Sequence, residues 1–286
     1  MKSTLKAYLS LCKPRITMLV LVTAAIGFFS GGQGIHSYSL LALTLIGTAV
    51  TCSGAAVLNC YLERDLDARM NRTKNRPLPA GVIAPHTALA FGILLVLAGT
   101  VLLVWQVNLL CGFLALLTAF LYTHVYTPLK RITWLNTFVG AIPGALPPMG
   151  GWAGATGELS LGAWVLFLIL FVWQHPHFYA IAWMFKDDYA KAGFKMLPCL
   201  EPDGASTFKQ VLYYSVLLIP ISLIPYFIGM TGQVYLVGSV ALGIFMLMAG
   251  LTVSKSRSVP DARKLLRATV VYLPLLLILI VTDASF

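Results

Sequence analysis

Long apolar segments alternate with short polar ones along almost the whole chain. A helix that crosses a membrane needs about 20 predominantly apolar residues, and nine segments approach or reach that length. They cover residues 16–31, 38–58, 86–105, 109–127, 133–152, 160–183, 209–229, 233–253 and 267–284. The pattern therefore predicts an all-α polytopic membrane protein with nine transmembrane helices, folded as a single domain over residues 1–286.

The positively charged residues fall on one side of this nine-helix arrangement. All 20 Lys and Arg residues lie before the first segment or in the connections after the second, fourth, sixth and eighth segments. The opposite connections, such as residues 31–39 and 230–233, contain none. Because cytoplasmic loops are enriched in Lys and Arg, we expect a multi-pass protein with a cytoplasmic N-terminus and a periplasmic C-terminus.

Composition supports the membrane assignment and excludes other classes. Apolar residues make up 58% of the chain and charged residues only 10%, with a mean hydropathy of +0.83, which is unusual for a soluble domain. Topology accounts for the net charge of +10, so no nucleic-acid partner is expected. The five cysteines form no C-x-x-C pair and predict neither a disulfide framework nor a zinc site. The short tails are typical of a bacterial inner-membrane protein.

Two long cytoplasmic connections, residues 59–85 and 184–208, contain most of the candidate chemistry. At the start of the first, Asn59, Glu63 and Asp67 recur every four residues, so on a helix they share one face. We call these three residues the polar stripe. Carboxylate and amide oxygens in this arrangement suit Mg²⁺, and the spacing therefore predicts a metal site.

Basic residues follow the polar stripe directly. Asn71 is expected on the same helix, one turn beyond Asp67. Next to it lie Arg72, Lys74 and Arg76. The prolines and the glycine of residues 77–81 then end this segment. Cations beside a metal-holding stripe are what a diphosphate group requires. The connection is therefore a candidate diphosphate site.

The second long connection begins with another charged helix end. Asp187 and Asp188 precede Lys191 and Lys195, which allows ordinary ion pairs at the i, i+4 spacing. If this segment lies opposite the polar stripe, it could instead close a second metal position. The residues alone leave both interpretations open.

Two further groups of polar residues lie within or at the ends of predicted spans. Tyr122, Tyr126 and Lys130 share one helical face, which fits either a site or tyrosines and a lysine at the membrane interface. His175 and His177 lie inside the sixth span, where polar groups are costly and often functional. Because they are two residues apart, the histidines should face different sides of the helix and not share one metal.

Taken together, these motifs resemble the UbiA superfamily of intramembrane prenyltransferases, and in particular its haem-modifying branch. The similarity extends over nearly the whole chain. It includes KPRI (13–16), the stretch from 59 to 81, YTPLKR (126–131), WQHPHF (173–178) and DDYAKAGFKMLP (187–198).

The resemblance implies a nine-helix bundle around a central cavity that opens laterally to the lipid bilayer, with the two long connections as cytoplasmic caps. It implies transfer of the farnesyl group of farnesyl diphosphate to a vinyl group of haem b, with addition of water. Mg²⁺ is the implied cofactor. A downstream haem-modifying enzyme or terminal oxidase assembly is an implied partner.

The resemblance also implies roles for the candidate residues. The metal ligands would be Asn59, Glu63 and Asp67, with Asp187 or Asp188. The diphosphate would be neutralised by Arg72, Lys74, Arg76 and Lys130. Tyr122 and Tyr126 would stabilise an allylic cation or hydrogen-bond a phosphate oxygen, and His175 or His177 would bind the haem iron or orient the haem.

One position departs from the superfamily pattern. Many members carry D-x3-D in the second motif, but here Lys191 follows Asp187 by four residues and Ala192 follows Asp188 by four. Either Lys191 replaces a metal charge on the diphosphate, or only one of the two acids is a ligand.

Two other functions share some of these features. A prenyltransferase acting on an aromatic quinone precursor would use the same metal and diphosphate residues, but would not need the histidines of WQHPHF. A polytopic transporter would ordinarily place charged residues near the membrane midplane. The acids of this chain cluster at one membrane face beside basic connections, which favours a diphosphate enzyme.

Overall fold

The computed structural model describes residues 2–285, a region built from helices. Within it, the short helix α1 (Lys2–Leu11) precedes nine long helical segments. They are α2 (Pro14–Gly31), α3 (Tyr38–Asp67), α4 (Pro85–Gln106), the continuous segment Leu109–Leu129, α7 (Asn136–Thr156), α8 (Leu161–Met184), α11 (Ala205–Phe227), α12 (Gln233–Ser256) and α13 (Val259–Thr282).

The segment Leu109–Leu129 consists of α5 (Leu109–Phe120), a π-helical turn at Leu121–Tyr126 and α6 (Thr127–Leu129). Two short helices, α9 (Lys186–Lys191) and α10 (Leu197–Leu200), lie in the connection between α8 and α11. No β-strand occurs among the described residues.

The nine-helix prediction is confirmed, with changes at the helix ends. Eight of the long helices among the described residues are long and apolar enough to cross a membrane. The ninth, α7, carries three prolines and several glycines, but its 21 residues match the length of a span. The predicted second span ends at 58, whereas α3 continues to Asp67.

The last predicted span begins at 267, whereas α13 begins eight residues earlier at Val259. The reason is a local N-cap signal. The Ser258 hydroxyl accepts a hydrogen bond from the Asp261 amide, and Pro260 occupies the first turn, both of which favour helix initiation. The basic residues that follow Asp261 are therefore helical.

The hydrophobic core is largest in the second half of the bundle. It joins α7 and α8 to α11, α12 and α13, with Leu166, Ile169, Leu218, Met246 and Leu276 fully buried at its centre. In the first half, α3 packs on α4 and α2 packs on α7. The α2–α7 packing connects the two halves.

The cation-rich connections contact one another at one end of the bundle. The Lys195 amide donates to the Lys130 carbonyl at 2.6 Å. The Arg257 guanidinium donates at 2.8 Å to a carbonyl of the connection that contains Lys195. At the other end, the Asn108 amide, just before α5, donates to the Ala153 carbonyl near the end of α7. This arrangement agrees with the predicted separation of charged and uncharged connections.

Close packing of α2 on α7 depends on glycine. A Cβ atom at Gly151 would overlap the Ala24 carbonyl of α2, and one at Gly27 would overlap the Pro148 carbonyl of α7. Small residues of this kind allow membrane helices to approach closely. The neighbouring Gly150 has open space where a Cβ would lie.

We expect Gly151→Ala to destabilise the protein by about 1–3 kcal/mol, because the added methyl group forces the α2 and α7 backbones apart. Gly150→Ala is the matched control and should be neutral or slightly stabilising, since alanine is the better helix former. Thermal unfolding of the detergent-solubilised variants measures the difference. Equal midpoints for the two variants would contradict this account of the α2–α7 contact.

Candidate active site

The polar stripe occupies the last three turns of α3. Asn59, Glu63 and Asp67 lie on one face of this helix, as predicted, and all three are buried, with 1%, 6% and 1% of their surface exposed. Asn71 lies beyond the helix end, so the prediction that it continues the stripe is wrong. The chain leaves the helix after Asp67 and enters a series of turns.

Each acid of the polar stripe is paired with a cation. Lys130 Nζ donates to Glu63 Oε1 at 2.7 Å, and Arg76 Nη1 donates to Asp67 Oδ2 at 2.7 Å. Burial alone would lower the pKa of Lys130, but the Glu63 carboxylate, with smaller contributions from Tyr126 and Tyr122, raises it above its usual value. Burial likewise disfavours the charged form of Arg76, but the charge and hydrogen bond of Asp67, with smaller contributions from Cys60 and Glu63, raise the pKa of Arg76. Both partners are therefore cationic at neutral pH.

Asn59 has a cation of its own. Lys13 Nζ donates to Asn59 Oδ1 at 2.7 Å, and Asn59 Nδ2 donates to Thr127 Oγ1 at 2.9 Å. Lys13 lies in the turn between α1 and α2 with a left-handed backbone, φ 49°, a conformation that is uncommon outside glycine. Its place at the site is not evident from the sequence, because a lysine before a membrane helix is ordinarily a topology signal. The KPRI segment is part of the resemblance, but the resemblance assigns no role to Lys13.

The aromatic part of the site is built on the π-helical turn Leu121–Tyr126. The Tyr122 and Tyr126 rings stack with centroids 5.7 Å apart, and Lys130 Nζ lies 4.5 Å from the Tyr126 ring centroid. The three side chains thus lie together as predicted, although the backbone between them is not a regular α-helix. π-Helical turns of this kind are frequent at functional sites.

The two long connections are joined through Asp188. Its carboxylate accepts hydrogen bonds from Asn71 Nδ2 at 3.4 Å and from the Arg72 amide at 3.3 Å. The Arg72 guanidinium also contacts the Tyr189 hydroxyl at 3.3 Å and lies over the Phe185 ring. Asp188 therefore connects the segment after the polar stripe to α9.

The remaining charged candidates lie at the exposed rim of this end. Lys74 Nζ donates to Asn71 Oδ1 at 3.3 Å, and Asp187 and Lys191 are exposed on α9. Burial raises the pKa of the Cys199 thiol, and the charge of Asp187 raises it further. Asp187 is thus exposed on α9, while Asp188 contacts the segment after the stripe.

The polar stripe fits a hard cation by the chemistry of its donors. Its oxygens come from one amide and two carboxylates, the ligand type that Mg²⁺ prefers. Asp67 Oδ1 is buried and has no hydrogen-bond partner among the described residues. Within residues 2–285, however, no three His, Cys, Asp or Glu side chains come together as a metal-binding group. The acids of α9 thus do not join the stripe in this conformation.

The two histidines face different helices, as their spacing predicts. The His175 ring is fully buried, its Nδ1 lies 2.8 Å from the Phe171 carbonyl oxygen, and it stacks on Tyr214 of α11 at 3.7 Å between centroids. His177 Nδ1 lies 2.8 Å from the Thr269 hydroxyl of α13. Both therefore sit in the second half of the bundle, whereas the partners of the stripe come from the first half.

Two grooves lie on the outside of the bundle. One of 510 Å³ is lined by residues such as Asn108 and Phe113, and one of 450 Å³ by residues such as Tyr8 and Phe91. Neither is lined by a predicted site residue. The central cavity that the resemblance implies therefore stays a prediction.

The Glu63–Lys130 pair gives a direct test of the charge balance in the site. Lys130→Met should destabilise the protein by about 3–5 kcal/mol, because it leaves the Glu63 carboxylate buried and unpaired. The double variant Lys130→Met/Glu63→Gln should recover most of that loss. Unfolding of the solubilised variants by denaturant measures both effects.

Lys264→Met is the matched control for this test, because Lys264 makes a similarly short ion pair with Asp261, at 2.8 Å, while its own side chain is 70% exposed. An exposed pair contributes little, so its stability should match the wild type. Equal losses for Lys130→Met and for the double variant would show that the buried charge is not the cause.

Comparison with known protein families and sequences gives a consistent result. Residues 20–273 match the model of the UbiA prenyltransferase family. The chain is 47% identical to the Protoheme IX farnesyltransferase of Solibacter usitatus (strain Ellin6076), over 98% of this chain and 99% of that protein. It is 45% identical to the Protoheme IX farnesyltransferase of Salinibacter ruber (strain DSM 13855 / M31), over 96% and 98% respectively.

Solved structures share the fold at low sequence identity. A structure described under "Structural and mechanistic insights into the biosynthesis of Digeranylgeranylglyceryl phosphate synthase in membranes" has a TM-score of 0.82 at 19% identity and covers 98% of both chains. A UbiA homolog from Archaeoglobus fulgidus bound to GPP and Mg²⁺ has a TM-score of 0.66 at 16% identity, over 96% of this chain and 99% of that one. The bundle is therefore the one seen in these membrane proteins.

Proposed function

Because the chain belongs to the UbiA prenyltransferase family, we propose that it transfers the farnesyl group of farnesyl diphosphate to a vinyl group of haem b, with addition of water, to give haem O. The near full-length similarity to two proteins named Protoheme IX farnesyltransferase is the observation that carries the choice of substrates. The WQHPHF and DDYAKAGFKMLP segments support the same choice.

The charge balance of the site supports the diphosphate half of the proposal. The stripe supplies two carboxylates, Glu63 and Asp67, and the chain places three cations directly on it, namely Lys13, Arg76 and Lys130. This excess of positive charge in a buried site suits an anion. As the diphosphate leaves, these cations would stabilise the negative charge that develops on its oxygens.

Asn59, Glu63 and Asp67 would hold Mg²⁺, which neutralises phosphate oxygens and so assists departure of the diphosphate. The related structure with GPP and Mg²⁺ supports this assignment at the level of the family. Asp188 would enter the metal site only by releasing Asn71 and Arg72.

The exposed charges at the rim would act earlier in binding. Arg72, Lys74 and Lys191 would attract the diphosphate toward the polar stripe. Asp187 is the weaker candidate ligand, because it is exposed on α9, whereas Asp188 contacts the segment after the stripe. Since Lys191 stands where many family members have a second acid, it would supply positive charge that a second metal provides elsewhere.

The stacked tyrosines would act on the prenyl group. Loss of diphosphate from an allylic carbon leaves a carbocation, and the electron-rich faces of Tyr122 and Tyr126 attract positive charge. The burial of Glu63 and Asp67 suits a site that would exclude water during this step. A haem vinyl group would then attack the carbocation, and water would add to the resulting cation and lose a proton.

The histidines are the candidate haem contacts. With Nδ1–H donating to the Phe171 carbonyl, His175 keeps an unprotonated Nε2, which is buried and has no partner within the described part of the chain. A neutral imidazole with a free nitrogen is the form that binds haem iron. His177, whose Nδ1 already contacts Thr269, is the second candidate. Either could also orient the haem ring.

The charged end of the bundle would face the cytoplasm of a bacterial inner membrane, with the C-terminus in the periplasm. The clustering of cation-rich connections at the end that contains the polar stripe supports this orientation. A downstream haem-modifying enzyme or a terminal oxidase assembly would receive the product, since a farnesylated haem is strongly apolar and would stay in the bilayer.

The purified protein should convert haem b, with farnesyl diphosphate and Mg²⁺, into a haem heavier by a farnesyl group plus water. Asp67→Asn should lower this activity by about 100-fold or more, because several kcal/mol of charge stabilisation depends on the metal. Asp65→Asn is the matched control, since Asp65 lies on the same helix but is exposed and off the stripe. It should keep wild-type activity. Product mass and rate are the readouts.

Two outcomes would contradict parts of this proposal. Unchanged haem, together with prenylation of an aromatic acid by the wild-type protein, would overturn the acceptor but leave the diphosphate site in place. Equal activity of Asp67→Asn and Asp65→Asn would overturn the role of the polar stripe.

A further inference from the structure

The side chain of Asn59 has two ends of nearly the same shape but opposite chemistry. Its oxygen accepts hydrogen bonds and can bind a cation, whereas its NH₂ group can only donate. Which end faces the site is decided by the hydrogen-bond partners. In this protein the partners of both ends are defined, by Lys13 on one side and Thr127 on the other.

Thr127 admits only one orientation of the amide. Its hydroxyl has a single hydrogen, which is donated to the Tyr122 carbonyl at 2.8 Å. Toward Asn59, at 2.9 Å, the hydroxyl can therefore only accept, and it must face the NH₂ group. Because Thr127 is 5% exposed, water does not offer the amide an easy alternative. The Asn59 oxygen then points to Lys13, which has no acceptor.

The π-helical turn positions Thr127 for this role. Both the backbone amide and the hydroxyl of Thr127 bond to the Tyr122 carbonyl, five residues earlier in the chain. A regular α-helix would pair the amide with residue 123 instead. The turn therefore fixes the Thr127 hydroxyl on the side that faces α3.

We propose that Thr127 is a positioning residue that holds the NH₂ group of Asn59, leaves its oxygen on the side of the amide where Lys13 now lies, and so sets the affinity of the stripe for a divalent cation. This inference rests on the proposed function, because it takes the stripe to be a metal site. Thr127 acts through Asn59 and is not itself a ligand. Residues that orient metal ligands in this way commonly contribute about 10- to 100-fold in metal affinity.

The test measures Mn²⁺ binding in the presence of inorganic diphosphate, with the full chain in nanodiscs and free Mn²⁺ detected by electron paramagnetic resonance. Thr127→Val keeps the shape of the side chain but removes the acceptor, and its dissociation constant for Mn²⁺ should rise about 10- to 100-fold. Thr127→Ser restores the hydroxyl and should bind Mn²⁺ like the wild type. Neither haem nor farnesyl diphosphate is needed.

Thr123→Val is the matched control. Thr123 lies on the same π-helical turn, is 1% exposed and donates to the Ala119 carbonyl at 2.6 Å, with His124 as its other partner. None of these hydrogen bonds joins Thr123 to the polar stripe. Its loss should leave Mn²⁺ affinity unchanged, which separates the orientation of Asn59 from the loss of any buried hydroxyl.

The same substitution in a variant of Asn59 tests the orientation of the Asn59 amide. Asn59→Asp presents oxygen at both ends, so the loss of Thr127 should matter much less there than beside asparagine. An equal effect of Thr127→Val in both backgrounds would overturn the inference. Wild-type Mn²⁺ affinity in a folded Thr127→Val variant, or an equal loss in Thr123→Val, would overturn it as well.

The same measurements separate this inference from the proposed function. If the wild-type protein binds Mn²⁺ and responds to Thr127→Val as expected but leaves haem unchanged, the acceptor is wrong and the inference stands. If the wild-type protein does not bind Mn²⁺ with diphosphate, both the metal site and the role of Thr127 are overturned.

Discussion

Burial of two carboxylates at one end of a membrane helix is the constraint on which the rest of this end depends. Moving a charge out of water carries a penalty of several kcal/mol unless a partner compensates it. Glu63 and Asp67 are compensated by Lys130 and Arg76, and Lys13 adds a third cation through Asn59. These cations come from three different connections. The charge balance of α3 thus connects three parts of the chain. These are the turn between α1 and α2, the long connection after α3 and the end of α6.

This arrangement also prepares the site for its proposed chemistry. Lys13, Arg76 and Lys130 already lie at the stripe before any substrate binds, so positive charge is in place where a leaving diphosphate would develop negative charge. The stacked tyrosines are held by the same π-helical turn that positions Thr127. The cationic, carboxylate and aromatic parts of the site are therefore connected through a few buried contacts.

Periodicity in the sequence predicts the nine helices, the shared face of the polar stripe and the opposite directions of His175 and His177. These features depend on spacing within one helix, which a sequence shows directly. Lys13 and Thr127 could not be found this way, because their partner Asn59 is 46 and 68 residues away in the chain. The π-helical turn and the contact of Asp188 with Asn71 and Arg72 also arise from tertiary packing. The prediction for Asn71 is wrong because α3 ends at Asp67, where the turn-forming segment begins.

We propose the polar stripe as the metal and diphosphate site. The most direct measurement is an experimental structure with Mn²⁺ and a non-hydrolysable farnesyl thiodiphosphate, using anomalous scattering to locate the metal. We expect a metal peak within roughly 2.0–2.3 Å of oxygens from Asn59, Glu63 and Asp67, a range close to that of small oxygen-bound divalent cations. The diphosphate should lie beside Arg76 and Lys130. A metal bound only by Asp187 and Asp188, with the stripe still paired to its three cations, would contradict it.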